Sequence, residues 1–191
     1  MPRSSDTHFI LHDFESAPDQ SKTLLTEIMK KLGFVPNIAR ALAESPATLE
    51  AYVRLNEIFL SKATFTLMEK QLVFLVISKE NLCDYCVAAH SFNASHVGLS
   101  EDQITTLRNG GTLSNQKLNS LAQLTSEIVT KRGFPEKETV NEFFNAGYGK
   151  EQFLELILAV GTKVIANYSN HFMQPELDAV FENRVWQAEQ G

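Results

Sequence analysis

The 191 residues contain two cysteines, both in one window, Cys83-Asp84-Tyr85-Cys86, and His90 follows four positions later. On a helix, residues three and seven apart share a stripe, so Cys83, Cys86 and His90 would point the same way. That arrangement suits thiol chemistry. The first cysteine stands near a helix N-terminus, where unpaired amides and the macrodipole favour a thiolate, and an imidazole beside it can take or return a proton. Two thiols at this spacing can also close a disulfide, so an oxidised sulfur on one is resolved by the other. Three plainer readings compete. The thiols could be buried structural groups, or two ligands of a zinc ion, although no second CxxC or HxxxH supplies the rest of a tetrahedral set. His90 could be a satisfied core histidine.

The elements that must position these residues are helical. Leu24, Leu25, Ile28, Met29 and Leu32 recur at helical spacing after a start near Asp19 to Ser21, and Gly33 supplies the stop. Pro36 opens a short helix through Ile38 and Leu42. Ser45-Pro46 caps and starts the next. Thr66 and Glu69 form a capping box for a helix from Leu67 to about Lys79, and Glu80-Asn81-Leu82 marks a joint. A second helix then carries Cys83 to His96 and stops at Gly98. Ser100 and Gln103 make another capping box. Leu118 to Val129 form an amphipathic helix closed by Gly133, and Pro135 restarts the chain with Phe143 and Phe144 facing inward. Lys150 to about Phe172 is the longest apolar-rich segment, and Pro175 opens a terminal helix with Leu177, Val180, Phe181, Val185 and Trp186. No stretch alternates with period 2, so the expectation is an all-α domain of about eight or nine helices. It spans residues 19–191, behind an N-terminal strap over 1–18. One weak repeat overlays 70–90 on 151–171, matching Gln71 with Gln152, Leu75 with Leu156 and His90 with His171, as a duplicated helical hairpin would.

Composition narrows the function classes. A chain of this length buries about 70% of the surface its unfolded form exposes, so it needs neither cofactor nor disulfide merely to fold. A net charge of −6 without a basic run argues against a nucleic-acid partner. The longest apolar run, Leu72 to Ile77, is too short to span a bilayer, and Met1 to Asp6 carry no signal-like apolar core, so a cytoplasmic location is expected. In a reducing compartment a lone CxxC reads as redox-active or metal-binding.

The segment 67–98, above all Asn81, Cys83, Tyr85, Cys86, Val87 to His90 and Gly98, resembles the core of the AhpD-like and carboxymuconolactone decarboxylase superfamily, in its peroxidase-related branch. Gly33 to Asn37, Ser45-Pro46, Ala146 to Tyr148, and Asn167 with Asn170-His171 extend the resemblance. It implies a helical domain assembling as trimers or hexamers that reduces hydroperoxides through its cysteine pair, without a bound cofactor. By that analogy Cys86 is the thiol that becomes a sulfenic acid, Cys83 the proton donor and resolving thiol, and His90 part of a proton relay. The reductant would be a dithiol, on a lipoyl-bearing or thioredoxin-like partner.

Two positions depart from the pattern. Where the family usually has a glutamate, twelve residues before the first cysteine, this chain has Gln71, whose amide can hold a histidine but cannot accept a proton. Glu80 is the other candidate carboxylate near the pair, although one so close to Cys83 would raise its pKa. Tyr85 stands where the best-known peroxidase has a histidine. Asn167 and His171 form a second polar cluster that could line the same pocket, a subunit interface or a helix end. Two alternatives stay open beside the peroxidase reading: a lyase using a histidine as general acid or base, and a non-enzymatic redox sensor.

Overall fold

A computed structural model describes residues 9–187; the start of the N-terminal strap, 1–8, and residues 188–191 lie outside it. Among the described residues there are nine α-helices and one 3-10 helix, with no strand. Residues 9–18 run without helix, and the Arg40 guanidinium donates to the carbonyls of Leu11 and His12. The helices are α1 (Asp19–Leu32), α2 (Asn37–Leu42), α3 (Pro46–Lys62), α4 (Leu67–Glu80) and α5 (Asp84–His96). They continue as α6 (Glu101–Arg108), α7 (Gln116–Thr130), α8 (Lys137–Asn145) and α9 (Lys150–Met173).

The caps set these boundaries. Thr66 and Ser100 each close a reciprocal capping box, and Ser45 accepts from the Thr48 amide with Pro46 in the first turn. Gly33 ends α1 in the left-handed conformation at φ 79°, which glycine adopts without a Cβ penalty.

α4 is the central helix. Every residue from Glu69 to Ser78 is buried, so the continuous apolar run Leu72 to Ile77 has protein on all sides. Phe74, Leu75, Ile77, Leu121, Leu124, Phe143 and Leu156 lie in this main core, and a second cluster joins Leu24, Leu25, Ile38, Leu42 and Leu49. Each such side chain contributes about 1.5–3 kcal/mol on full burial. The cysteines and Ala166 make a third, small cluster.

Four sequence expectations change. Cys83 lies before α5 rather than within it: after a leucine, Leu82, held at φ 55°, Cys83 takes extended dihedrals as the N-cap residue. Phe144 is 37% exposed while Phe143 is fully buried, because successive helical residues cannot share one inward face. After Pro175 the chain forms only a short 3-10 helix, η1 (Ala179–Arg184), its apolar anchor being the buried Phe181. Finally, 151–171 belong to one continuous helix whereas 70–90 break at the Asn81 joint, so the shared phase reflects amphipathicity without a repeated hairpin.

Candidate active site

The joint between α4 and α5 brings the cysteine pair against α9. Asn81 Nδ2 donates to Asn167 Oδ1 at 2.9 Å, fixing the joint to that helix. Both thiols are free and buried, at 1% and 3% exposure. One side chain faces both sulfurs: Asn170 Nδ2 lies 3.3 Å from Cys86 Sγ and 3.6 Å from Cys83 Sγ. Asn170 Oδ1 is buried with no partner of its own.

The two thiols differ electrostatically. Burial pushes Cys86 up, but the Cys83 thiol, the Lys163 charge and the amides of Asn167 and Asn170 outweigh it and bring Cys86 to about 6. Cys83 is pushed up instead, first by its hydrogen bond to Cys86, then by burial and the charge on that neighbour. Cys86 therefore carries the negative charge of the pair and Cys83 the proton.

Lys163 is the residue that sequence reasoning missed. It is 3% exposed, forms no carboxylate ion pair among the described residues, and lies 5.5 Å above the Phe74 ring. Its ammonium donates to His90 Nε2 at 2.8 Å, while His90 Nδ1–H donates to Gln71 Oε1 at 3.0 Å. An ammonium only donates and an amide oxygen only accepts, so this geometry requires the neutral Nδ1–H imidazole. Burial, then the Lys163 charge, holds His90 well below its usual range. Neither ring nitrogen bonds a sulfur. His90 thus meets the cysteines' surroundings through Lys163, and Gln71 sets its tautomer as a neutral amide can.

Tyr85, between the cysteines in sequence, donates to Asp178, and Asp178 also accepts from the Asn37 amide at the start of α2. Burial and that carboxylate push the phenol up. The Phe181 ring packs edge-on against Tyr85, Phe92 and Phe34, so the C-terminal segment closes over the site. Tyr52 is a second unforeseen member; burial, then the negative charge that the cysteine pair carries, raises it.

The other candidates lie elsewhere. Glu80 turns to Ser126 Oγ at 2.7 Å and Lys79 at 3.3 Å, because α7 packs on α4 there. His171 is exposed and stacks on Tyr168. Among the described residues no three His, Cys, Asp or Glu side chains are grouped to hold a metal ion.

A cavity of about 270 Å³ reaches Cys86, with His90, Lys163 and Gln71 also on its wall. Most of the rest is apolar, including Phe34, Ile38, Tyr52, Phe74, Phe92 and Phe181. A thiolate, a neutral imidazole backed by an ammonium, and an apolar chamber are equipment for attack on a small organic molecule.

Residues 46–113 match the carboxymuconolactone decarboxylase family. No curated protein matches the sequence. Among solved structures, an uncharacterized peroxidase-related protein from Ralstonia eutropha JMP134 with an alkylhydroperoxidase AhpD core superposes with a TM-score of 0.80. It is 15% identical over 94% of this chain and 96% of its own. The apo debrominase Bmp8 superposes with a TM-score of 0.78 at 18% identity, over 95% and 97% of the two chains. A putative antioxidant defence protein AhpD from Agrobacterium tumefaciens reaches 0.62 at 18% identity, over 72% of this chain and 95% of its own. The described chain thus has the AhpD-like fold, and residues 46–113, which include both cysteines and His90, are the part that is similar to the carboxymuconolactone decarboxylase family.

Proposed function

We propose that the protein is a thiol-dependent hydroperoxide reductase whose cysteine pair cycles through sulfenic acid and disulfide. The observation that carries this reading is the asymmetry of the pair: Cys86 opens on the apolar cavity beside Lys163, while Cys83 lies behind it under the same asparagine.

In the first step the Cys86 thiolate attacks the terminal oxygen of a hydroperoxide and the O–O bond breaks. The alkoxide leaves with a proton from the Lys163 ammonium, which His90 Nε2 holds in place, and the amine then regains from solvent the proton that Cys86 shed on ionising. Asn170 Oδ1 is an acceptor at hand for the sulfenic hydroxyl. In the second step Cys83 Sγ displaces that hydroxyl, its own proton leaving with it as water. One hydroperoxide and two thiols become one alcohol, one water and one disulfide, and an external dithiol restores the pair. A reducing compartment such as the cytoplasm would keep the resting pair in its thiol form.

One equivalent of cumene hydroperoxide should consume both thiols at neutral pH, and Cys86→Ser should abolish the reaction. Survival of both thiols would exclude the mechanism. Peroxide loss sustained by excess dithiol identifies an enzyme; a single stoichiometric oxidation identifies a sensor.

A second reading follows from the aromatic wall of the cavity and the fold shared with a debrominase, one variant of which was solved with 2,3,4-tribromopyrrole. The Cys86 thiolate would attack the halogen, the ring carbon taking a proton, and Cys83 would then displace halide to close the same disulfide. Halide release from a bromoarene with no peroxide present separates the two. The lyase alternative needs a histidine nitrogen free for substrate, and both nitrogens of His90 are engaged.

The chain is also proposed to form homo-oligomers. The exposed stripe Leu154, Ile157, Tyr168 and Phe172 along α9 supports this, and analytical ultracentrifugation tests it.

A further inference from the structure

We infer that the cysteine pair has a second port, on the side away from the substrate cavity, through which a dithiol on a slender arm attacks Cys83 Sγ. The inference rests on the disulfide-cycling half of the proposed function and adds the direction and the target of re-reduction.

The two cysteines line different spaces. Cys86 is on the wall of the apolar cavity and Cys83 is not. Cys83 is instead at the base of a separate opening of about 460 Å³, and Cys86 is absent from its lining. Tyr85 is on both walls, its hydroxyl tied to Asp178, so one held side chain divides the two spaces. The second opening is the more polar of the two, with Asp84, Asn170, His171 and Gln174 around it, and Leu82 is its exposed apolar rim.

The chemistry assigns different visitors to these spaces. An organic substrate gains by leaving water for the apolar chamber, whereas a dithiol must reach the disulfide in line with the S–S bond and carry a proton away. Attack on Cys83 Sγ forms a mixed disulfide there and expels Cys86 as the leaving thiolate. That sulfur is the one nearer Asn170 Nδ2 and beside the Lys163 charge, so the better-stabilised anion leaves. The second thiol of the reductant then attacks its own bound sulfur, releasing Cys83 with a proton and closing the reductant into a disulfide. Cys83 is 1% exposed, which a sulfur on a broad protein surface cannot reach, and this favours a thin, flexible carrier over a thioredoxin-like domain.

The test uses the whole protein oxidised with diamide, so that it does not depend on peroxide. His171→Trp fills the polar opening and Leu32→Trp fills the rim of the apolar cavity; both positions are exposed. With dithiothreitol as reductant, His171→Trp should recover thiols roughly tenfold or more slowly, and its oxidation by cumene hydroperoxide should keep the wild-type rate. Leu32→Trp should show the reverse. Brief exposure of the disulfide to glutathione, followed by acid quench and peptide mapping, should place the adduct on Cys83. An adduct on Cys86, slowing of both half-reactions by His171→Trp, or faster reduction by thioredoxin than by an equal concentration of dihydrolipoamide would each overturn the inference. Failure of diamide to form the disulfide would overturn both readings, while normal diamide behaviour without peroxide consumption would sink the peroxidase reading alone.

Discussion

Lys163 Nζ donates to His90 Nε2 at 2.8 Å, joining the long α9 helix to the cysteine helix through two side chains, neither a carboxylate. A buried cation with no acid beside it is costly unless something nearby gains from its charge. Here the Cys86 thiolate gains. Lys163→Met should therefore raise the Cys86 pKa by about 1–3 units and slow its alkylation by iodoacetamide at neutral pH. The urea midpoint should hold or rise, since an apolar chain replaces a buried charge.

His90 should remain the neutral Nδ1–H tautomer throughout the stable range of the protein, with no protonation step near its ordinary value. Nitrogen-15 chemical shifts of the imidazole ring report this directly. Gln71→Glu replaces the accepting amide by a carboxylate at the same place, which favours imidazolium and competes with the Lys163 bond. In that variant the ring should titrate at higher pH than in the wild type.

The thiol pair also makes stability depend on pH. Cys86 sits at about 6 in the fold against 9.0 for a free thiol, so between these values the unfolded chain binds the extra proton. Stability of the reduced protein should rise with pH from about 6 to 9, and that contribution should vanish as pH falls through 6. Cys83, raised in the fold, acts in the opposite sense above 9, where the unfolded thiol ionises and the folded one does not. Urea midpoints across this window, compared with Cys86→Ser, measure the slope; an unchanged slope in the variant would contradict the assignment.

Phe181 holds the C-terminal segment over the site through three edge-on ring contacts. Phe181→Ala should cost about 3 kcal/mol, at the low end for a buried phenylalanine because the segment is peripheral. Amide exchange should accelerate at Asn37, whose N–H donates to Asp178 on the same segment. If exchange rises evenly across α4 instead, the contact is only part of the general core.

Most of the scaffold was legible from local rules. Thr66, Ser100, Ser45-Pro46 and Gly33 mark helix ends by hydrogen-bond and backbone chemistry that involves only their near neighbours. The Gln71–His90 contact was within reach too, because the resemblance singles out both positions and an amide can hold an imidazole. Lys163 was not, since a lysine in an amphipathic helix reads as its solvent face. A signal was present nevertheless: Lys163 is in phase with Leu156, Ala159, Ala166 and Asn170, all buried on α9, and a charge on an apolar stripe is a buried charge. The division of labour between the two openings depends on how α5, α9 and the C-terminal segment meet, which no local spacing encodes.

Leu82 holds left-handed dihedrals at φ 55° and is 58% exposed. That conformation costs a branched residue about 1–2 kcal/mol, and glycine would adopt it freely. A stabilised variant is therefore one substitution away: Leu82→Gly should melt higher. It should also lose an apolar handle at the rim where Cys83 is met, and be re-reduced more slowly by dithiothreitol. Robustness and turnover would then be opposing demands on a single residue, and heat tolerance alone would be a misleading guide to improving this protein.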